Sequence, residues 1–210
     1  RTLFIEDIDI IREQCDLIMA VSGIVAAPGQ VIGGGTNWFT SVQGVDPEFL
    51  TIKSWTVEDG NMFTERDIRA KTKVAVLGAS VVENMYGGVS PVGQTIRIQK
   101  TPFKIIGVLE AKGQSSGGQD QDDTVLVPLT TAAFRLRGDS QYVSAIYVSA
   151  TTVDVMDMAK EEVTQTLRQA HKLIDGQDDD FSVRSQSELT EAFTSTTQTM
   201  TTFLTIVAAV

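Results

Sequence analysis

The residues best equipped for chemistry are one cysteine, Cys15, one histidine, His171, a serine pair, Ser115-Ser116, and two acidic clusters. A lone cysteine forms no internal disulfide, and with a lone histidine it cannot make a Cys₂His₂ or Cys₄ zinc set. A Cys–His nucleophile pair would require these two residues to meet. Ser115-Ser116 lacks the G-x-S-x-G elbow, and its only imidazole base would be His171. His171 falls in the last turn of a predicted helix, where partial positive charge complements the dipole, so it reads as structural. Asp120, Asp122 and Asp123 lack the loop length, glycine placement and distal glutamate of an EF-hand and read as a solvated loop. Asp178-Asp179-Asp180 reads as a polar turn. Gly33-Gly34-Gly35 joins strand to strand with no Lys-Ser/Thr after it, which is not a phosphate loop. Nor does any carboxylate spacing single out a glycosidase pair. On its chemistry the chain is non-catalytic, with no cofactor and no metal site.

The elements that would carry these residues must come from 210 residues, enough for one to two domains. Hydrophobic residues make up 42% and charged residues 21%, which supports a packed core and excludes wholesale disorder. Acids outnumber bases 27 to 17, a net charge of −10 that argues against nucleic acid and against docking on anionic lipid. Aromatic residues are 7% and the bases are scattered, so there is no stacking platform for single strands. The chain reads as cut at both ends. Arg1 is not an initiator methionine, and the terminal Phe203–Val210, FLTIVAAV, is shorter than the roughly 20 residues that span a bilayer. That run fits either the first turns of a spanning helix or an apolar helix packed on its own domain.

Periodicity predicts a helix over 6–16 with Ile8, Ile11 and Cys15 on one stripe, Cys15 acting as a small buried hydrophobe. A strand over 20–32, broken at Pro28-Gly29, pairs through the glycine turn with a strand over 37–45. Asp46-Pro47-Glu48 predicts a helix start, with the helix running to about Trp55. Glu58-Asp59-Gly60 reads as a turn, and Thr64 with Asp67 as a capping box. Gly44 also reads as a turn position. From Lys73 to Pro128 the texture changes to short strands at 73–77, 94–99, 103–109 and 124–127, with one helix over 81–86 closed by Gly87-Gly88. The spacing suggests a β-rich unit, a partly closed barrel. Within it, Lys112–Asp123, KGQSSGGQDQDD, has no apolar residue and reads as a mobile exposed loop. A strand over 142–150 precedes a long helix ending near Leu173, with Val153, Met156, Val163, Leu167 and Ala170 as its stripe. Phe181–Arg184 reads as a short strand and Ser185–Glu188 as a capping box.

The final helix is the most informative segment. Between Ser185 and Thr205, 11 of 21 residues are serine or threonine, weak helix formers. Leu189, Phe193, Thr196, Met200, Phe203, Val207 and Val210 nevertheless keep strict 4–3 spacing, a narrow seam able to pack on one partner helix. No charge follows Glu191, so the helix reads either as a stalk entering a membrane or as an amphipathic cover for its own sheet.

Several stretches carry a family resemblance. They are Ser41–Val45 followed by Pro47–Leu50, then Glu58–Phe63, Val74–Gly78, Pro91–Ile96, Phe103–Leu109 and Val125–Pro128, closing with Thr196–Met200 running into Phe203-Leu204. In this order the chain resembles the extracytoplasmic domain of MacB-type ABC transporters, the mechanotransmission family. Gly44, Gly60, Pro91, Gly93 and Pro128 among these are fold-defining positions, so the resemblance speaks to fold more than to site.

The resemblance implies an α+β fold with a discontinuous α/β porter-like subdomain and an inserted β-rich sabre-like subdomain. Its parts would be residues 1–55 and 138–188 for the porter-like unit, 56–137 for the insertion, and 189–210 for a stalk helix leading into a truncated membrane helix. It further implies a homodimeric full-length transporter on the periplasmic side of the bacterial inner membrane, the isolated domain being a monomer. A cytoplasmic domain of the parent would use ATP and Mg, and the chain itself carries no Walker A motif. The partners would be a periplasmic adaptor (membrane fusion) protein and an outer-membrane channel, with drugs, peptides or toxins exported from the periplasm. Adaptor contact is assigned to Gln114, Ser115, Ser116, Gln119 and Gln121 in the polar loop, and stalk packing to Leu189, Phe193, Met200 and Phe203. Two other readings stand beside this one: the extracytoplasmic domain of a lipoprotein-releasing or cell-division complex, and a stand-alone soluble binding protein or hydrolase, which a pocket holding His171 and paired acids would favour.

Overall fold

The computed structural model describes residues 2–115, 118–138, 141–186 and 188. In chain order the elements are α1 (Ile5–Gln14), β1 (Ile18–Ala26), β2 (Gly29–Gly33), β3 (Thr36–Val45), α2 (Phe49–Ile52), β4 (Val57–Gly60), α3 (Glu65–Ala70), β5 (Val74–Leu77), α4 (Ala79–Tyr86), β6 (Thr95–Ile98), β7 (Thr101–Leu109), β8 (Thr124–Pro128), α5 (Leu129–Thr131), β9 (Ala145–Ala150) and α6 (Met156–Ala170). A π-helical turn over Ala132–Leu136 extends α5, and a 3₁₀ turn over Val153–Val155 leads into α6. The fold is α+β, as expected.

One sheet holds all nine strands of the described residues, and six of them close on themselves. β2 pairs with β6, β6 with β7, β7 with β5, β5 with β8, β8 with β3, and β3 back with β2. Four strands of this ring come from the 56–137 stretch and two, β2 and β3, from the first 55 residues. Its buried side chains include Val31, Val42, Val76, Ile96, Ile98, Phe103, Ile105 and Leu126, none more than 1% exposed. On β6 and the start of β7 they alternate with exposed neighbours, the period of a strand with one inward face.

The split between ring and flanking sheet occurs at Pro28. β1 and β2 lie end to end, antiparallel to β3, with Ala27 N–H donating to the Val42 carbonyl at 2.8 Å between them. Proline has no N–H to continue the ladder, so the edge breaks there. Past the break β2 turns to β6, and before it β1 pairs with β9. α1 packs on β1 and α6, and α2 packs on β1 and β9. The two regions share one continuous apolar core, from Ile8 and Leu167 to Phe103 and Ile98.

Several elements differ from expectation. The helix after Asp46 is a single turn. Asp46 does not cap it, because its carboxylate accepts the Gly23 N–H at 2.9 Å, and Ser54 at φ 46° closes the turn with Trp55 N–H on the Leu50 carbonyl at 2.8 Å. Glu58–Gly60 is strand, not turn: β4 occupies the edge of β7 beyond the end of β6. Gly44 lies within β3, not at a turn. A Cβ there would stand 2.3 Å from the Ala132 Cβ, so the residue permits close approach of α5 and its π turn. Val153 is 80% exposed and leaves the α6 stripe, because the 3₁₀ turn rotates it outward; α6 ends at Ala170. Phe181–Arg184 forms no strand; Phe181 and Val183 simply pack on the core. Among the described residues no helix is long and apolar enough to cross a membrane.

Candidate functional site

The polar loop assigned to adaptor contact is built on a buried acid. Asp122 is 4% exposed, and its carboxylate accepts the N–H groups of Lys112 and Gly113, each at 2.8 Å. Asp120 accepts the Asp122 N–H at 2.9 Å and the Ser80 hydroxyl at 2.6 Å, which ties the loop to the first turn of α4. The Trp38 indole donates to Asp123 at 2.8 Å. Gly78 admits this arrangement, since a Cβ there would lie 2.1 Å from the Asp122 carbonyl oxygen. The base of Lys112–Asp123 is therefore stapled, and Asp122 is an anchor rather than a solvated acid.

Above the staple, Gln114, Gln119 and Gln121 are exposed and Ser115 is half-buried. Gln114 bridges to Asp120, Ser115 N–H donates to the Gln119 carbonyl at 2.8 Å, and Gln121 N–H donates to the Gly113 carbonyl at 3.2 Å. Gln114, Gln119 and Gln121 thus present amide side chains on a hydrogen-bonded backbone. Ser116 lies outside the described residues. No sequence signal separates Asp122 from its neighbours, because its partners are backbone groups nine and ten residues back.

The stalk positions Leu189, Phe193, Met200 and Phe203 also lie outside the described residues. The capping box before them is formed: Ser185 N–H donates to Glu188 at 3.0 Å and Glu188 N–H to the Ser185 hydroxyl at 3.3 Å. Lys160 of α6 pairs with Glu188 at 2.5 Å, so the start of this segment is fixed against α6.

His171 caps α6 and faces two carboxylates, Asp180 at 2.8 Å from Nδ1 and Asp7 at 3.3 Å from Nε2. The rings of Phe4 and Phe181 meet it edge-on, with centroids 6.4 and 5.6 Å away. Burial works to lower its pKa, and the hydrogen bonds its ring makes to the Asp180 and Asp7 carboxylates outweigh burial, so the net shift is upward. Cys15 does not meet it. Cys15 is 5% exposed, bonds Thr166 at 3.4 Å, and has its thiol pushed up by burial. No Cys–His pair forms.

Asp46 is 4% exposed, and burial pushes its carboxyl up to about 7 against the lowering effect of the Gly23 N–H. No group of three or more metal-ligating side chains occurs among the described residues. A half-open recess of about 210 Å³, lined by Thr2, Leu3, Arg137, Tyr142, Val143 and Ser144, does not include His171. It falls below the usual size of a small-molecule pocket, about 300 Å³. Among the described residues the geometry offers a frame of exposed amide side chains and a histidine held between two carboxylates.

Residues 1–166 match the family described as MacB-like periplasmic core domain. A macrolide export ATP-binding/permease protein from Chlorobium luteolum is 38% identical over 203 residues, covering 97% of this chain and 30% of that protein. One of the same description from Bdellovibrio bacteriovorus is 34% identical, covering 98% of this chain and 32% of that protein. The chain thus spans about three-tenths of the length of these relatives. Among solved structures, the periplasmic region of MacB from Actinobacillus actinomycetemcomitans superposes with a TM-score of 0.76 at 21% identity, covering 91% of this chain and 82% of that one. The extracellular domain of the noncanonic ABC-type transporter YknZ from Gram-positive bacteria gives 0.68 at 18% identity, with coverage of 81% and 84%.

Proposed function

The chain belongs to the MacB-like periplasmic core domain family, and from that premise we propose that it is the periplasmic domain of an ABC-type export permease. In this reading it transmits ATP-driven motion of membrane helices and docks a periplasmic adaptor, for efflux of drugs, peptides or toxins. ATP and Mg act in a cytoplasmic domain of the full protein, which works as a homodimer with the adaptor and an outer-membrane channel.

The observation that carries the reading is that the start of the described chain is fastened to the segment that follows α6. Thr2 donates to the Asp180 carbonyl at 2.7 Å, and Asp7 and Asp180 share His171. A pull on either segment would then reach the same sheet through α1 and α6. The seam Leu189, Phe193, Met200 and Phe203 is the element that pairs with its twin when ATP closes the dimer.

The test is to place a carboxylate on the seam, Phe193→Glu or Met200→Glu, in the full transporter. Transport should fall at least tenfold, the effect of more than about 1.4 kcal/mol against pairing. Export at the parental rate would remove the stalk from the mechanism. For the adaptor role, Gln114, Ser115, Ser116, Gln119 and Gln121 are replaced by alanine together, with the Asp122 staple kept. Adaptor binding should weaken with thermal stability unchanged; undiminished binding would place the contact elsewhere. Deleting Lys112–Asp123 outright is a poorer test, because it removes the buried anchor and the Trp38 partner.

A further inference from the structure

We propose that His171 is a proton-operated clasp that fastens the segment around Asp180 to the N-terminal end of α1, and that loss of its proton loosens that segment. The argument rests on the placement of both ring nitrogens. Nδ1 lies 2.8 Å from an oxygen of Asp180 and Nε2 lies 3.3 Å from an oxygen of Asp7. Carboxylates accept hydrogen bonds and donate none when ionised, so both contacts are satisfied only when both nitrogens carry protons. A neutral imidazole keeps one N–H and turns a lone pair toward the other carboxylate. The clasp then opens on one side.

The surroundings make that opening directional. Asp7 cannot swing away freely, because the same oxygen that faces His171 accepts the Phe4 N–H at 2.7 Å. Residues 3–5 are also held by backbone bonds to Gln141 and Val143. Asp180 stands on a segment without sheet or helix and is 37% exposed at its side chain. Its backbone carbonyl is held by Thr2 at 2.7 Å, but among the described residues its carboxylate makes no hydrogen bond other than that to His171, so its side chain is the partner that can turn away. The charged groups facing His171 are these two acids. Of the charges nearby, Arg168 on α6 is engaged by Asp179 and by the carbonyls of Gln177 and Ile174, and Lys172 is exposed on the next residue. The Phe4 and Phe181 rings shield the imidazole, whose side chain is only 8% exposed, and the Asp7 side of the clasp is buried while the Asp180 side meets solvent.

The sign follows from linkage. The folded-state pKa is raised, so the clasp's stabilisation is fully present below the ordinary histidine value of about 6.5 and is lost as pH rises through the folded value. The inference deepens the export reading and rests on it for one consequence. If the segment beyond Ser185 leads to the membrane, external pH sets how stiffly the sheet is joined to that stalk.

The clasp itself is tested on the 210-residue chain, so its failure leaves the export reading standing. His171 is the only histidine, and its Cε1 proton can be followed alone by NMR. It should titrate above 6.5, and Asp180→Asn should lower the midpoint. Amide exchange over residues 178–186, corrected for its intrinsic pH dependence, should quicken about tenfold across the titration, the loss of one charge-assisted hydrogen bond. Amides inside β5 and β8 should show no step. His171→Phe keeps an edge-on ring and should abolish the pH step. A midpoint at or below 6.5, wild-type protection indifferent to pH, or a step surviving in His171→Phe would overturn the proposal. Should His171→Phe not fold, the exposed Asp180→Asn decides: an unchanged midpoint overturns it.

Discussion

Asp46 shows how one buried acid shapes the energetics of this domain. Its carboxyl is held out of water with one N–H donor, and burial lifts its pKa from 3.8 to about 7. Since the folded value is the higher one, the group's stabilisation is complete below about pH 4 and is lost as pH rises through 7. Ionised Asp46 therefore costs on the order of 4 kcal/mol at pH 8. Asp46→Asn keeps an acceptor for the Gly23 N–H and removes the charge. It should stabilise the fold by on the order of 2 kcal/mol at pH 8 and not at pH 4, read from urea midpoints at the two pH values. Cys15 gives a simpler expectation at the same scale. Buried, bonded to Thr166 and with its thiol pushed up, it should resist a thiol reagent in the native state and react fully in denaturant.

Among the elements, the hairpin over Lys112–Asp123 depends on one side chain. Asp122→Ala leaves the Lys112 and Gly113 N–H groups without their acceptor, at a cost of about 2 kcal/mol, and should open the loop to proteolysis at Lys112. Gly78→Ala should act in the same direction, because its Cβ must push the Asp122 carbonyl away from 2.1 Å. Equal trypsin rates at Lys112 in wild type and both variants would show that the staple does not order the loop. The capping box at Thr64 was readable from spacing alone, and Asp67 does accept the Thr64 N–H at 2.9 Å, because a cap joins residues three apart. The chain at Asp46 departs from its local spacing for the opposite reason. A stronger partner on β1, 23 residues away, takes the capping carboxylate.

At the scale of the molecule, the closed ring of six strands makes the two halves of the sheet interdependent. Cut out alone, residues 56–137 would lose β2 and β3 and expose open edges on β6 and β8. That fragment should fail to fold, whereas the whole chain should unfold in one cooperative transition with coincident near- and far-UV circular dichroism. Two separated transitions would mean that β3 does not couple the ring to the β1–β9 flank. The folded chain should also run as a monomer by light scattering, in keeping with the proposal that pairing occurs in the full transporter.

By itself the sequence determined most strands of the ring, the helices α1, α3 and α4, the capping boxes, the absence of a disulfide or a Cys/His zinc set, and the family. Each of these rests on local spacing or on residue types that have only one use, such as Pro28 ending a ladder or Gly87 at φ 60° ending a helix. Tertiary structure alone decided the closure of the ring through β2 and β3, the role of Gly44 as a contact rather than a turn, and the burial of Asp46 and Asp122. It also brought Asp7 and Asp180, 173 positions apart, to the two sides of His171. Local pattern reports which face of an element is apolar. Which distant backbone N–H or carboxylate meets a given polar side chain is set by how the faces pack, and no spacing along the chain encodes it.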